Sequence, residues 1–347
     1  MVETLQKVGV YIFGFLFIFG LVGSTVLFVW EGRNNLYYRP DQDLDARIER
    51  LGPKGDLAIA VARFPQNKFA KIIYQREWST QNQEGPLMFP MKQLAGVFRT
   101  QAALILVDRE QLSLEAPITD TLTDVPPTFE GITLEHLLSQ TSGLTGTLDA
   151  GNPPEHPPGT VNQYAPINDA LVLRLIEAAS GETAQAFIQR EIIETLEMKC
   201  TEYREAEQGW FSCVEDVMNW ELDLYRHNLI KLKTYLRAFK KVGLANGEPS
   251  RFSLGWYPFE YGGFRVEEAP IDASTNHSIL RFSERAFSLV VLSSIPREEL
   301  DARQIAREVG LIYMEREMPY PDRIKDKFPL LGPKIVPTAP EDANTAE

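Results

Sequence analysis

Apolar positions along this chain form one uninterrupted block and then a series of shorter, patterned runs. The block is residues 8–30, VGVYIFGFLFIFGLVGSTVLFVW, which carries no charged residue. As a helix it is long enough to cross a hydrocarbon core of about 30 Å. It ends in Phe28-Val29-Trp30-Glu31 and offers no small-x-small cleavage site, so it reads as a retained membrane span rather than a signal peptide. Trp30, Tyr37 and Tyr38 suit the interfacial belt beside such a span. Residues 1–7 are then a short tail and residues 31–43 a polar linker.

The shorter runs predict a mixed α+β domain over residues 44–318. Leu44, Ile48 and Leu51 share one face of a short helix. Leu57–Arg63 and Phe69–Tyr74 read as strands joined by a turn at Pro65-Gln66-Asn67. Leu94–Val107 is apolar all round, the pattern of a buried helix, and Ile132–Leu138 is a short helix stopped at Ser142-Gly143. After a Gly- and Pro-rich loop over 145–160, helices are expected at 168–179, from a Thr183 cap to about 195, at 214–226 and at 230–241. Strands follow at 252–257, 263–266, 278–282 and 287–293, and a closing helix at 297–318. The tail, 319–347, is Pro-rich with an acidic end.

Composition narrows the function classes. The chain has 347 residues and 44% hydrophobic content, which suits an anchor plus one large domain. A formal net charge of -13 argues against nucleic acid as a partner. The four histidines, at 136, 156, 227 and 277, lack metal-ligand spacing, and no glycine-rich loop precedes a helix to cradle a phosphate. Neither a metal nor a cofactor is expected.

The order of motifs is similar to that of the serine β-lactamase and penicillin-binding-protein superfamily. The long apolar helix is followed by Leu112-Ser113-Leu114-Glu115-Ala116-Pro117-Ile118 and then by Ile132-Thr133-Leu134-Glu135-His136-Leu137-Leu138-Ser139-Gln140-Thr141-Ser142-Gly143-Leu144. Pro158-Gly159-Thr160, Tyr164, Ser180-Gly181, Leu196-Glu197-Met198, Val214-Glu215-Asp216 and Ser253-Leu254-Gly255-Trp256 continue the pattern. It looks closest to the branch of class C β-lactamases, D-alanyl-D-alanine carboxypeptidases and related esterases. The resemblance implies a β-lactamase/transpeptidase-like fold: an antiparallel sheet flanked by helices, plus a helical lobe. It also implies work outside the cytoplasmic membrane. The charges flanking the span, Lys7 before it and Arg33 and Arg39 after it, do not themselves put the N-terminus inside. The expected arrangement is therefore a single-pass protein of the cytoplasmic (inner) membrane with a periplasmic or extracytoplasmic domain. Cys200 follows the Leu-x-Met turn and Cys213 opens the helix that carries Asp216. In an oxidising compartment the two would close a disulfide worth about 3 kcal/mol; otherwise they are buried free thiols.

Active members open the long helix with Ser-x-x-Lys, where the Ser is acylated and the Lys shares its proton. Counting back from Leu112-Ser113-Leu114, those positions hold Gln93 and Gly96, and no lysine of the chain has a serine three residues before it. An amide cannot accept an acyl group in this way, and glycine has no side chain to act as a base. The second motif, Tyr-x-Asn, reads Tyr164-Ala165-Pro166, so the tyrosine stays and the amide is gone. The third, Lys-Thr-Gly or His-x-Gly, is missing from the segment 267–280 where it belongs. Lys241-Val242-Gly243 falls too early in the chain to supply it.

The expectation is a catalytically inactive serine-hydrolase homologue that binds a cell-wall peptide or a protein partner of a membrane complex. Tyr164 and His277 are the candidate binding residues, against plainer readings as a packing tyrosine and a strand-end histidine. The rival expectation is an active esterase or peptidase that uses Tyr164, Ser142 or His277 in place of the lost groups. Ser142 otherwise caps a helix end, and His136 reads as structural.

Overall fold

A computed structural model describes residues 40–314, except 65–69, 83, 149–151 and 271–273. The expected span at 8–30, the turn at Pro65-Gln66-Asn67 and the tail lie outside the described residues. Among the described residues no helix is long and apolar enough to cross a membrane.

The chain divides into two units after Leu51. The first contributes helix α1 (Pro40–Leu51), which begins earlier than Leu44 because Pro40 fits the first helical position. Within it Arg47 donates to Asp43 one turn back, at 3.0 and 2.8 Å.

The second unit is an α+β body. Strand β1 (Leu57–Arg63) pairs with β2 (Lys71–Trp78), which runs past the expected Tyr74. The polar Gln75-Arg76-Glu77 stretch is tolerated there because β2 lies at a sheet edge. The short β3 (Phe89–Pro90) precedes a 3-10 turn over Lys92–Ala95, which leads into α2 (Gly96–Asp108). Then come α3 (Leu134–Leu138), capped by Thr133, and α4 (Pro166–Ser180), ended by Gly181 in the left-handed region. Thr183 caps α5 (Ala184–Ile188) as expected, and the helix widens into a π turn over Gln189–Glu194. Strands β4 (Glu202–Arg204) and β5 (Gly209–Ser212) form a hairpin, followed by α6 (Val214–Arg226) and α7 (Leu232–Phe239). Strands β6 (Tyr257–Tyr261), β7 (Phe264–Glu268), β8 (His277–Phe282) and β9 (Phe287–Ser293) and helix α8 (Ala302–Met314) complete the body.

Six strands form one antiparallel sheet in the order β2-β1-β9-β8-β7-β6. Every residue of β8 and β9 is buried, so both faces of the sheet centre are covered. Phe282 and Leu289 point to one face. There Gly310 of α8 lets the helix approach so closely that a Cβ would stand 2.8 Å from the Phe282 ring. Arg281 and Ser288 point to the other face, where both bond Glu221 of α6.

A second, three-stranded sheet, β3-β5-β4, has no counterpart in the sequence reading. Its strands are two to four residues long, too short to show a period. Cys200 and Cys213 lie just outside the β4–β5 hairpin and are joined in a disulfide across its base, Cα atoms 6.0 Å apart. The segment 252–257, expected as a strand, instead turns at Gly255, whose φ is +75°, and the strand begins only at Tyr257.

Arg281 and Glu221 are fully buried and lie 2.9 Å apart. Replacing Glu221 with Leu leaves an uncompensated guanidinium in the core and should lower stability by about 3–5 kcal/mol. The double variant Glu221→Leu/Arg281→Met removes both charges and should recover most of that loss in a urea unfolding series; a loss equal to the sum of the two single-variant losses would show that the pair is not coupled.

Candidate functional site

Two elements bring the expected positions together. The 3-10 turn ahead of α2 presents Gln93, and α2 starts with Gly96. The first turn of α4 lies opposite. Pro166 occupies its first helical position, where no backbone donor is needed, so the substitution that removes the family amide also fits the helix start. Tyr164 stands just before that helix and Asp169 within its first turn.

Asp169 is the hub. It accepts from the Gln93 amide at 3.2 Å and from the Tyr164 hydroxyl at 3.3 Å, and it pairs with the Arg99 guanidinium at 2.6 Å. Arg99 reaches back over Gly96: a Cβ on Gly96 would sit 3.1 Å from an Arg99 terminal nitrogen. The guanidinium thus occupies the space above Gly96. Burial first, and then the Asp169 charge, push the Tyr164 phenol up to about 12. Near neutral pH the phenol is a donor, and it is a poor general base.

The cleft beside this cluster has a volume of about 430 Å³. Its walls include Tyr164, Phe252, Tyr257 and Pro270, with Gln93 and the Glu268–Arg303 pair as polar groups. Beneath it a cavity of about 30 Å³ is lined in part by Gln93, Gly96, Arg99 and Thr100. Thr100, Tyr164 and Tyr257 are the hydroxyl-bearing residues that line the two spaces, and among the described residues neither space is lined by a Ser, Cys or Lys. The segment that should carry the third motif does reach the cleft, as Glu268-Ala269-Pro270. That segment brings a carboxylate to the cleft, Glu268, tied to Arg303.

Two expected candidates are not at the cleft. His277 is 3% exposed and lines neither space. Its Nε2 lies 2.9 Å from the Pro90 carbonyl and its Nδ1 accepts from the Ser293 amide at 3.2 Å, so both ring nitrogens are used in joining β8 to β3 and β9. Both ring nitrogens are thus engaged within the sheet, away from the cleft. Burial brings His277 down to about 4. Ser142 is also buried; it donates to Asn168 at 2.6 Å and accepts from the Leu144 amide. Asn168 in turn donates to Gln140 at 2.7 Å, so this trio fastens the loop after α3 to α4. His136 forms a capping box with Thr133, as a structural role requires.

Sequence reasoning missed Asp169, Arg99 and the Glu268–Arg303 pair. Arg99 did leave a trace, as the one charge inside the apolar run 94–107. The nearest approach to a metal-ligand cluster among the described residues is Cys200, Cys213 and Asp216. There the sulfurs are bonded to each other, and Asp216 is held by the Cys200 amide and the Thr201 hydroxyl, both at 2.8 Å.

A family model described as Beta-lactamase matches residues 97–269, starting one residue after Gly96. The chain belongs to the serine β-lactamase and penicillin-binding-protein superfamily. Solved structures agree on its fold. An octameric penicillin-binding protein homologue from Pyrococcus abyssi matches with a TM-score of 0.65 at 14% identity, over 81% of this chain and 79% of that one. A D-amino acid amidase from Ochrobactrum anthropi matches with 0.64 at 14% identity, over 80% and 98%. A β-lactamase from Mycobacterium bovis matches with 0.61 at 19% identity, over 79% and 100%. No curated protein sequence gives a significant match. In this chain a polar cluster of Gln93, Arg99, Tyr164 and Asp169 stands beside the cleft.

The His277 environment has a pH consequence. An exposed histidine titrates near 6.5, whereas His277 in the folded chain titrates at about 4. Between those values the unfolded chain binds a proton that the folded chain refuses. The stability is therefore fully present above about pH 6.5 and falls by about 3 kcal/mol as pH drops toward 4. Urea unfolding at about pH 7.5 and about pH 4.5 should show this difference, and the His277→Asn variant should show it reduced by that amount. An unchanged slope in the variant would remove His277 as its source.

Proposed function

We propose that this chain is a membrane-anchored member of the superfamily that binds a ligand or partner in its cleft and does not form an acyl-enzyme. The observation that carries this is the committed state of every reactive position. Gln93 stands where the nucleophile belongs, its amide given to Asp169. Gly96 stands where the lysine belongs, covered by Arg99. Loss of the nucleophile alone costs on the order of 10⁶ in turnover, about 8 kcal/mol.

The cleft suits a short peptide-like ligand, such as a cell-wall peptide. Aromatic walls receive an apolar side chain, and Gln93 and the Glu268–Arg303 pair offer donors and acceptors to a backbone. The amidase from Ochrobactrum anthropi is complexed with L-phenylalanine amide, a ligand of that character. A protein partner in an envelope complex could present the same groups on an extended segment. The uncharged run at 8–30 supplies the anchor in the cytoplasmic membrane. The Cys200–Cys213 disulfide supports a domain outside the cytoplasm, since such bonds persist in oxidising compartments.

The rival reading, an esterase or peptidase with substitute residues, draws little support. Ser142 and His277 are buried and fully bonded, and Tyr164 holds its proton near neutral pH.

Treating the full chain with a fluorescent penicillin and with a fluorophosphonate, followed by intact mass, should give no covalent adduct. The single variant Gln93→Ser should also stay unlabelled, because Gly96 provides no base. A stoichiometric adduct on the unaltered chain would overturn the proposal, and the modified residue would identify the nucleophile.

A further inference from the structure

The charge of this chain is unevenly placed. Its formal net charge is -13, yet residues 226–247 contain Arg226, Lys231, Lys233, Arg237, Lys240 and Lys241 and no acidic residue. Helix α7 lies inside this stretch. Its inner side is fastened to the body: Thr234 bonds the Asp108 carboxylate, the Lys231 backbone amide donates to the same carboxylate at 2.5 Å, and Arg237 pairs with Glu135. Ala238 and Phe239 are buried.

The outer side is different. Leu232 and Leu236 are 53% and 59% exposed, the two most exposed of the large hydrophobic side chains among the described residues. They lie one turn apart on one stripe of the helix, and exposed Lys240 follows directly after its last residue. Lys233 and Lys241 flank them, and among the described residues no hydrogen bond or ion pair engages the side chains of Lys233, Lys240 or Lys241. An open groove of about 1090 Å³ separates α7 from the loop after α2, whose Glu110 and Glu115 stand on the far wall, so the positive charge is concentrated on the helix.

We infer that α7 is an interfacial helix that lays Leu232 and Leu236 into an anionic lipid surface, with Lys233, Lys240 and Lys241 on the headgroups. Two apolar side chains on a helix ringed by cations match the chemistry of such a surface. The anchor proposed at 8–30 would keep the chain at a bilayer. The inference rests on the proposed anchor for proximity and is independent of what the cleft binds. An acidic protein partner is the competing occupant. The chemistry favours lipid because the apolar stripe is narrow and its flanking cations are long and untethered, able to settle on a fluid array of phosphates.

The test uses the full chain in phosphatidylcholine bilayers with and without phosphatidylglycerol. Both natural cysteines are joined to each other, so a Leu236→Cys variant takes a single environment-sensitive label. Brominated acyl chains should quench that label in the anionic bilayers. The quenching should fall roughly fivefold or more in about 0.5 M salt, and equally when Lys233→Glu, Lys240→Glu and Lys241→Glu are added. A label at Gln208→Cys, on the exposed β4–β5 turn, should stay unquenched. The salt series needs no charge variant, so a folding defect in the triple variant does not blunt the test. Equal or absent quenching in both bilayers overturns the inference and leaves the patch to a protein partner. Flotation with pure phosphatidylcholine vesicles reports the anchor separately. A chain that fails to float there, but whose label is quenched by anionic vesicles, would disprove the anchor and still support the lipid-binding helix.

Discussion

A guanidinium with no access to water sits at the centre of this molecule. Arg281, on the central strand β8, pairs with Glu221 of α6 and lies against the ring faces of Tyr225, Tyr235, Phe239 and Trp256, at 4.5, 5.6, 4.5 and 5.4 Å. A lone buried cation would cost several kcal/mol, so these partners are obligatory. Their arrangement ties the sheet, α6, α7 and the turn before β6 to one point. From there a column of rings continues. Trp256 stacks on Trp220 of α6 at 6.3 Å, and Trp220 meets Phe98 of α2 edge-on at 5.7 Å. The helix that opens with Gly96 is thus positioned from the sheet through successive aromatic contacts, each with a preferred geometry. The cleft inherits its shape from that column.

The same column leaves positions 93 and 96 outside the packed side of the helix. The contacts that fix α2 lie on its buried side, at Phe98, Ala102 and Leu106, and none involves the side chains at positions 93 and 96. Those positions can change without loosening the core. They are not free of physical demands, however. Gly96 offers no charge of its own to Asp169, whose half-buried carboxylate needs a cation. Arg99, one turn along, supplies it by folding back over the glycine. Gln93 and Tyr164 complete the set by donating to the same carboxylate. The cluster satisfies itself, which is the requirement on a polar group near the interior and is the opposite of a poised nucleophile.

The disulfide hairpin and helix α7 show the same economy at two edges of the body. The β4–β5 hairpin is too short to hold its register by ladder bonds alone, and the Cys200–Cys213 bond closes its base. Helix α7 is held from within by Asp108 and Glu135 and leaves its leucines outward. In both places a local element that could not stand alone is fastened by one or two strong links, and the exposed remainder is free to meet something else.

The sequence by itself determined the elements whose pattern is continuous and bounded. Leu57–Arg63, Val214–Arg226 and Phe287–Ser293 end where their apolar or amphipathic runs end, and the structure has the same limits. It also determined the loss of Ser-x-x-Lys, because no folding can add a hydroxyl or an amine that the chain lacks. Tertiary structure decided what depends on partners far apart in the chain. His277 reads as a possible base from its neighbours, yet lies in the sheet with its ring nitrogens given to the Pro90 carbonyl and the Ser293 amide. Asp169 reads as a helix-start acid, yet becomes the hub of the cleft because Gln93 and Arg99 arrive from a different helix. Local pattern encodes which backbone a segment prefers. Which polar atoms must satisfy one another is settled only when packing brings them out of water together.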